Sequence, residues 1–243
     1  HVGSLVRPPQ IRVIMEAKET AASYDEGAFQ IVLQDEVKKV VRRQAEIGID
    51  VISDGEYGKA GWFRYLSERL GGLVQRETMS GEKVRTPFDI AREASVFPDF
   101  YTAYFPMMYY DWLPPDQTKT PIGRAPAGGP DKSDGKTMVW DCTGPITYQG
   151  LAQMNQDIEN FQAALNEVEV AEAFMPVAAP MSARGLWLNS YYSSESEVVV
   201  ALADALKEEY KAIIDVGFLL QLDDAFLAHE YDRLLAEMSE PDV

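Results

Sequence analysis

A helical run, a glycine, a short apolar strand and a terminal acid follow one another twice in this chain. In the first copy Leu33, Val37, Val40, Val41 and Ala45 fall at helical spacing between about Gln30 and Arg43. Gly48 stops the helix, and Ile49, Val51 and Ile52 lead to Ser53-Asp54-Gly55-Glu56. The second copy opens with a capping-box pattern, Ser194-Glu195-Ser196-Glu197, and places Val198, Leu202, Ala205, Leu206 and Ile213 on one helical face. It passes Gly217 and runs through Phe218-Leu219-Leu220-Gln221-Leu222 to Asp223-Asp224. In both copies an Asp stands six residues after the glycine. Apolar strands alternating with amphipathic helices predict a buried parallel sheet, and acids at strand carboxyl ends are where α/β barrels carry chemistry.

Further segments extend the series. Thr137 to Cys142 runs into Thr143-Gly144-Pro145-Ile146-Thr147, Ala173 to Ala179 runs into Pro180, and His1-Val2-Gly3-Ser4 reads as a short strand. A helix from about Leu151 to Leu165 is expected from Leu151, Met154, Ile158, Phe161 and Leu165. Between Gly71 and Lys136 the alternation lapses, and a β-hairpin followed by an irregular excursion is expected there. Phe97 to Trp112 holds eight aromatic residues, for which packing onto the domain or onto a second subunit is the commoner use and a pocket wall the rarer.

Charge narrows the function. Asp and Glu total 39 against 22 Lys and Arg, a net charge of −17, which repels phosphate backbones and anionic lipid unless a basic patch is segregated. The densest basic run, Lys38-Lys39-Val40-Val41-Arg42-Arg43, follows Asp35-Glu36 on the first helix, where pairing with acids on a solvated face is expected. Neither nucleic acid nor membrane is an expected partner. Apolar runs such as Val198 to Leu206 are far shorter than the ~20 residues of a membrane span, no signal-peptide pattern opens the chain, and a cytoplasmic protein is the expectation. The single cysteine, Cys142, cannot form an internal disulfide. Neither a Walker loop nor a strand-linked GxGxxG occurs, which disfavours ATP and dinucleotide enzymes.

Few residues are left to carry chemistry. With one cysteine and two histidines, His1 and His229, the chain cannot build a Cys/His-rich metal site from its own residues. Cys142 reads as a strand-end packing residue, and His229 fits a surface position and a ligand-facing one equally. The strand-end carboxylates remain. For Asp54 and Asp224, helix capping or pairing with Arg7 and Arg64 competes evenly with ligand contact, whereas Glu56 and Asp223 are the sharper candidates for holding an ammonium group or moving a proton.

Four ordered motifs resemble a known family. His1-Val2-Gly3-Ser4-Leu5-Val6-Arg7-Pro8, Asp50-Val51-Ile52-Ser53-Asp54-Gly55-Glu56, Thr143-Gly144-Pro145-Ile146-Thr147 and Leu220-Gln221-Leu222-Asp223-Asp224 look like the catalytic domain of cobalamin-independent methionine synthase, and more closely the single-domain bacterial proteins of that type. The resemblance implies a (β/α)8 TIM barrel of the methionine synthase and uroporphyrinogen decarboxylase-like type. It also implies an enzyme of methionine biosynthesis, a methyltransferase carrying a methyl group from methyltetrahydrofolate to a zinc-activated thiol such as homocysteine. Carried over by motif, Val2, Gly3 and Ser4 would contact the amino-acid end of the thiol substrate, and Glu56 and Asp223 would hold its ammonium group.

The chain also departs from that pattern. The family's zinc ligands, a His-x-Cys motif, a Glu and a second Cys, lie downstream of the Gln-Leu-Asp-Asp strand and are absent from this chain, so zinc is expected from the family while no residue here is assigned to it. About five strand–helix units fit in residues 1–243, read as a single barrel domain with an insertion at about 72–136. The last three units and the C-terminal zinc-binding part are expected outside these residues, supplied by a further segment or by another polypeptide; a homo-oligomer is the other expectation. Leu151 stands where the methionine synthases carry a pterin-binding tryptophan. His229, with Glu230 one residue on, matches the folate-contacting Glu, and both are candidate contacts to the methyl donor. A thiol alkyltransferase or demethylase with another donor, and a metal-free small-molecule-binding pseudo-enzyme, are the alternative readings.

Overall fold

The computed structural model describes residues 3–19, 23–59, 61, 65–79, 96–97, 99–100, 138–184 and 187–235. Helix α1 (Pro9–Glu19) starts on a proline, whose missing N–H costs nothing in a first turn, and buries Ile11 and Met15. Helix α2 (Glu26–Glu46) is longer than its apolar stripe suggested, because the Asp25 carboxylate accepts from Ala28 N at 3.0 Å and caps a polar first turn. Its stripe of Phe29, Leu33, Val37 and Val41 faces the core. Burying side chains of this size contributes roughly 1.5–3 kcal/mol each, more than helix propensity supplies.

Both expected glycine stops are present and share one geometry. Gly48 and Gly217 adopt φ of 85° and 90°, which a β-carbon would strain. At the first, Ile49 N donates to Gln44 O and Gly48 N to Ala45 O, both at 3.0 Å; at the second, Phe218 N donates to Ile213 O at 3.3 Å and Gly217 N to Ile214 O at 2.9 Å. These are paired six-to-one and five-to-two closures that satisfy the last carbonyls of each helix. The chain then enters β1 (Val51–Ile52) after α2 and β6 (Leu219–Asp223) after α6 (Glu195–Asp215). At the start of α6 the Ser194 hydroxyl accepts from Glu197 N at 3.2 Å, while the Glu197 carboxylate reaches back to Ser193, whose N lies at 3.1 Å and Oγ at 2.8 Å. The capping box thus closes one residue earlier than its simplest form.

The remaining described elements are α3 (Leu66–Arg69), β2 (Leu70–Glu77), β3 (Met138–Tyr148), α4 (Leu151–Leu165), β4 (Glu172–Ala178), α5 (Pro180–Arg184), β5 (Trp187–Asn189) and α7 (Ala225–Leu234). They build two three-stranded sheets, ordered β1-β4-β6 and β2-β3-β5. The first is wholly parallel, with Ile52 opposite Ala173 and Ala178 opposite Asp223. The second pairs β2 antiparallel with β3, and β3 parallel with β5.

The mixed α/β class and the parallel strands follow the expectation, but two particulars differ. No closed barrel forms among the described residues, since β2 runs against β3 and the strands separate into two sheets. The strand expected at His1-Val2-Gly3-Ser4 does not form at Gly3 and Ser4, where φ of 77° at Gly3 turns the chain; residues 1 and 2 lie outside the described residues. The hairpin and excursion expected within 71–136 lie largely outside the described residues; β2, at the start of that span, pairs antiparallel with β3 beyond it. The aromatic stretch 97–112 lies largely outside the described residues.

Two apolar clusters form among the described residues. One joins α1, α2 and α4 to β4 through Ile11, Phe29, Val41, Phe161 and Val177, and the other joins β3 to α6 through Leu70, Ile146, Leu202 and Leu206. Arg69, at the end of α3, is fully enclosed where these elements meet. Its guanidinium lies 2.5 Å from the Asp157 carboxylate of α4 and 3.2 Å from the Glu209 carboxylate of α6. Tyr148 of β3 donates its hydroxyl to Glu209 at 2.9 Å. Truncating Arg69 strands two buried carboxylates, so Arg69→Ala is expected to lose roughly 3–5 kcal/mol in urea unfolding. A loss below about 1 kcal/mol would mean that water reaches the trio.

Candidate functional site

The segment after β1 is shaped by its own polar side chains. Gln44 of α2 donates to Ser53 O at 2.7 Å and accepts from Ser53 N at 3.2 Å, which clamps the end of the strand. The Ser53 hydroxyl accepts from Gly55 N at 3.2 Å, and the Asp54 carboxylate accepts from Glu56 N at 3.0 Å. These two local turns carry the chain into a left-handed conformation at Glu56, with φ of 57°. A non-glycine residue held there stores strain that the surrounding contacts must override.

Those contacts come from the amino-terminal segment. Leu5 N donates to Gly55 O at 3.1 Å, and the Tyr57 hydroxyl donates to Val6 O at 2.9 Å. The Arg7 guanidinium donates to Glu56 O at 3.0 Å, to Lys59 O at 2.6 Å and to the Ser4 hydroxyl at 3.0 Å. Lys59 closes the loop from the other side by donating its ammonium group to the carbonyl of Pro176 in β4.

Glu56 is buried, and its Oε1 has no hydrogen-bond partner among the described residues. Burial pushes its carboxyl up to about 7, with Asp54 and Asp223 adding to the rise and Lys59 and Arg7 opposing it. Asp54, also enclosed, is raised by burial against the pull of Lys59. Asp223 ends β6, the same end of the parallel sheet from which the Glu56 loop leaves β1. Its carboxylate accepts from the Gln221 side chain at 2.9 Å, and its carbonyl accepts from Ala179 N at 2.9 Å. A buried acceptor with an empty valence, beside a second acid, suits a cationic donor.

The sequence-derived candidates divide clearly. Ser4, Glu56 and Asp223 come to one sheet end, with Gly3 one residue from Ser4. Val2 and the side chains of His229 and Glu230, on α7, lie outside the described residues. Asp224 takes the structural role, since its carboxylate accepts the Ser182 hydroxyl at 2.9 Å, and that hydroxyl accepts from Phe226 N at 3.2 Å. Cys142 is a core residue whose thiol donates to Gly144 O at 3.3 Å and is pushed up by burial. The basic run is solvated and paired: Lys39 with Asp35 at 2.6 Å, and Arg42 with Glu167 at 2.6 Å. Arg7 and Lys59 escaped the sequence reading as site residues. Their only local signals are a Pro after Arg7 and a Gly before Lys59, neither of which marks a site.

A parallel sheet with an acidic carboxyl end and an open buried carboxylate makes this the candidate site, and the comparisons with known proteins show what the chain resembles. Residues 1–88 match the family model described as cobalamin-independent synthase, catalytic domain, and so carry that family's pattern. The "Uncharacterized protein YxjH" of Bacillus subtilis (strain 168) is 35% identical over 75 residues, 30% of this chain and 19% of that protein. A 5-methyltetrahydropteroyltriglutamate–homocysteine methyltransferase of Thermotoga petrophila is 31% identical over 73 residues, 30% of this chain and 10% of that enzyme. The chain thus matches a fifth or less of the length of these relatives. The structure of a B12-independent methionine synthase from Shewanella sp. W3-18-1, in complex with selenomethionine, superposes with a TM-score of 0.53 at 14% identity, covering 88% of this chain and 47% of that one. At that identity the likeness is one of fold. Among the described residues no helix is long and apolar enough to cross a membrane.

The raised carboxyl of Glu56 gives a signed stability effect. An unfolded Glu releases its proton near 4.5 and the folded one near 7, so the folded state binds more protons in between and stability falls as pH rises through that window. Glu56→Gln removes the titration. The variant is expected to gain on the order of 3 kcal/mol over wild type at pH 8, the difference vanishing below about pH 4.5, as read from paired urea unfolding curves.

Proposed function

We propose that this chain supplies the amino-acid-binding face of a thiol methyltransferase of the cobalamin-independent methionine synthase type. The observation that carries the reading is the unpartnered Oε1 of buried Glu56, beside Asp223 at the carboxyl end of the parallel sheet. The ammonium group of a thiol amino acid such as homocysteine would donate to Glu56, which ionises as the cation arrives, and Asp223 would balance the remaining charge. Gly3 and Ser4, beside Arg7 and the Glu56 loop, and Val2 would contact the same end of the substrate. His229 and Glu230 would meet the methyl donor, methyltetrahydrofolate in the family's pattern. On this reading β1, β4 and β6 are strands of a (β/α)8 barrel.

Zinc does not fit the residues at hand. Among the described residues no three His, Cys, Asp or Glu side chains converge as a metal cluster, and Cys142 is turned into the core. The activation of the thiol is therefore assigned to none of the described residues. Leu151, half exposed at the first turn of α4 where the family carries a pterin-binding tryptophan, favours a methyl or alkyl donor other than a pterin as the second reading.

Calorimetric titration with L-methionine, the product form of such a substrate, tests the assignment. Wild type should bind, and Glu56→Gln and Asp223→Asn should each weaken binding by about tenfold or more, roughly 1.4 kcal/mol. N-acetyl-L-methionine, which lacks the ammonium group, should not compete. Equal affinity of Glu56→Gln and wild type, in variants that unfold cooperatively, rejects the role of Glu56.

A further inference from the structure

We infer that Lys59 is a positioning residue for Glu56: it bolts the acid's loop to β4 and holds a buried cation in the turn that it shares with that acid. The functional half of this statement rests on Glu56 being the ligand-binding acid proposed above; the coupling of the two side chains does not.

The placement of Lys59 is unusual for a lysine. The residue is 2% exposed, yet no carboxylate lies within ion-pair distance of it among the described residues. Its ammonium donates to the Pro176 carbonyl and sits 4.6 Å from the centroid of the Tyr65 ring. A carbonyl dipole and a ring face compensate only part of the cost of taking an ammonium group out of water. A methionine would fill the same space without that cost, so packing alone does not account for a lysine.

The surrounding charges show where the remainder is compensated. Facing the Glu56 loop are Asp54 and Lys59 from the loop itself, Arg7 from the amino-terminal segment, Asp223 from β6, and the Asp157–Arg69 pair of α4 and α3. Arg69 lies 4.9 Å from the same Tyr65 ring, but its charge is matched by Asp157 and Glu209. Lys59 and Glu56 close one turn, Lys59 N donating to Glu56 O at 3.2 Å, and both side chains are buried there; with no carboxylate at contact range among the described residues, the Lys59 charge favours the ionised forms of Glu56 and Asp54. Tyr65 fixes the height of the ammonium, because its hydroxyl accepts from Ala178 N at 3.2 Å, two residues beyond the carbonyl that Lys59 holds. Glu56 therefore titrates against a cation whose position is set by β4 and not by the loop.

The test reads the Glu56 proton directly and needs no ligand. In protein carrying 13C-labelled glutamate carboxyls, with the Glu56 signal identified by its loss in Glu56→Gln, the wild-type midpoint is expected near 7. Lys59→Gln keeps an N–H donor for Pro176 but removes the charge, and should raise the midpoint by about one pH unit or more, a tenfold change in proton affinity. Lys59→Arg restores the charge and should return the midpoint toward wild type. A folded Lys59→Gln protein with an unchanged Glu56 midpoint overturns the proposal and leaves Lys59 a structural bolt. Should Lys59→Gln fail to fold, the wild-type Lys59 15Nζ resonance decides: a step at the Glu56 midpoint, absent in Glu56→Gln, supports the coupling, and a flat trace overturns it. Failure of L-methionine to bind while the two side chains still titrate together would count against the proposed function and not against this pairing.

Discussion

The enclosure of the Arg69 guanidinium between Asp157 and Glu209 is the constraint on which the rest of this molecule hangs. A buried ion trio adds little net stability over apolar packing of the same volume, because desolvation offsets much of the attraction. Its consequence is geometric. Oppositely charged groups from α3, α4 and α6 can be buried only if all three elements arrive together, and Tyr148 of β3 is tied to the same carboxylate. The two apolar clusters, which would tolerate some sliding, are held in register by a contact that would not.

The candidate site depends on that register. Gly58 lies so close to α4 that a β-carbon there would stand 2.4 Å from Asp157 Oδ1, and Asp157 is held in place by Arg69. The loop from Ser53 to Lys59 is therefore pressed against α4 at one glycine, stitched to the amino-terminal segment by Arg7 and Tyr57, and fastened to β4 by Lys59. None of these contacts uses the Glu56 carboxyl Oε1. The rigidity around it is supplied by neighbours, which leaves the acid itself uncommitted, as the proposed binding role requires.

The local grammar was legible in the residues and the long-range pairing was not. Gly48 and Gly217 announce their stops because a helix ending in a left-handed residue has few alternatives, and both close in the same way. Ser194 and Glu197 announce a cap for the same reason, although the carboxylate chose Ser193. By contrast, that β1 lies beside β4, and β4 beside β6, depends on contacts more than a hundred residues apart in the first pair, which no periodicity encodes. The antiparallel partner of β2 was equally hidden, since β3 begins only at Met138. In the candidate site, Glu56 and Asp223 stand out as acids at strand ends, although Asp54 and Asp224 at the same ends accept local hydrogen bonds instead, whereas Lys59 was invisible because its burial is a tertiary fact.

The left-handed backbone at Glu56 has a consequence for how this protein would drift. Conformational preference at that position favours glycine or asparagine, and burial disfavours a carboxylate, so two separate pressures push against the residue that is there. Under selection for heat resistance alone, with no demand on binding, position 56 is where replacements should accumulate earliest, and the loop around it would survive as a well-made frame with nothing in it.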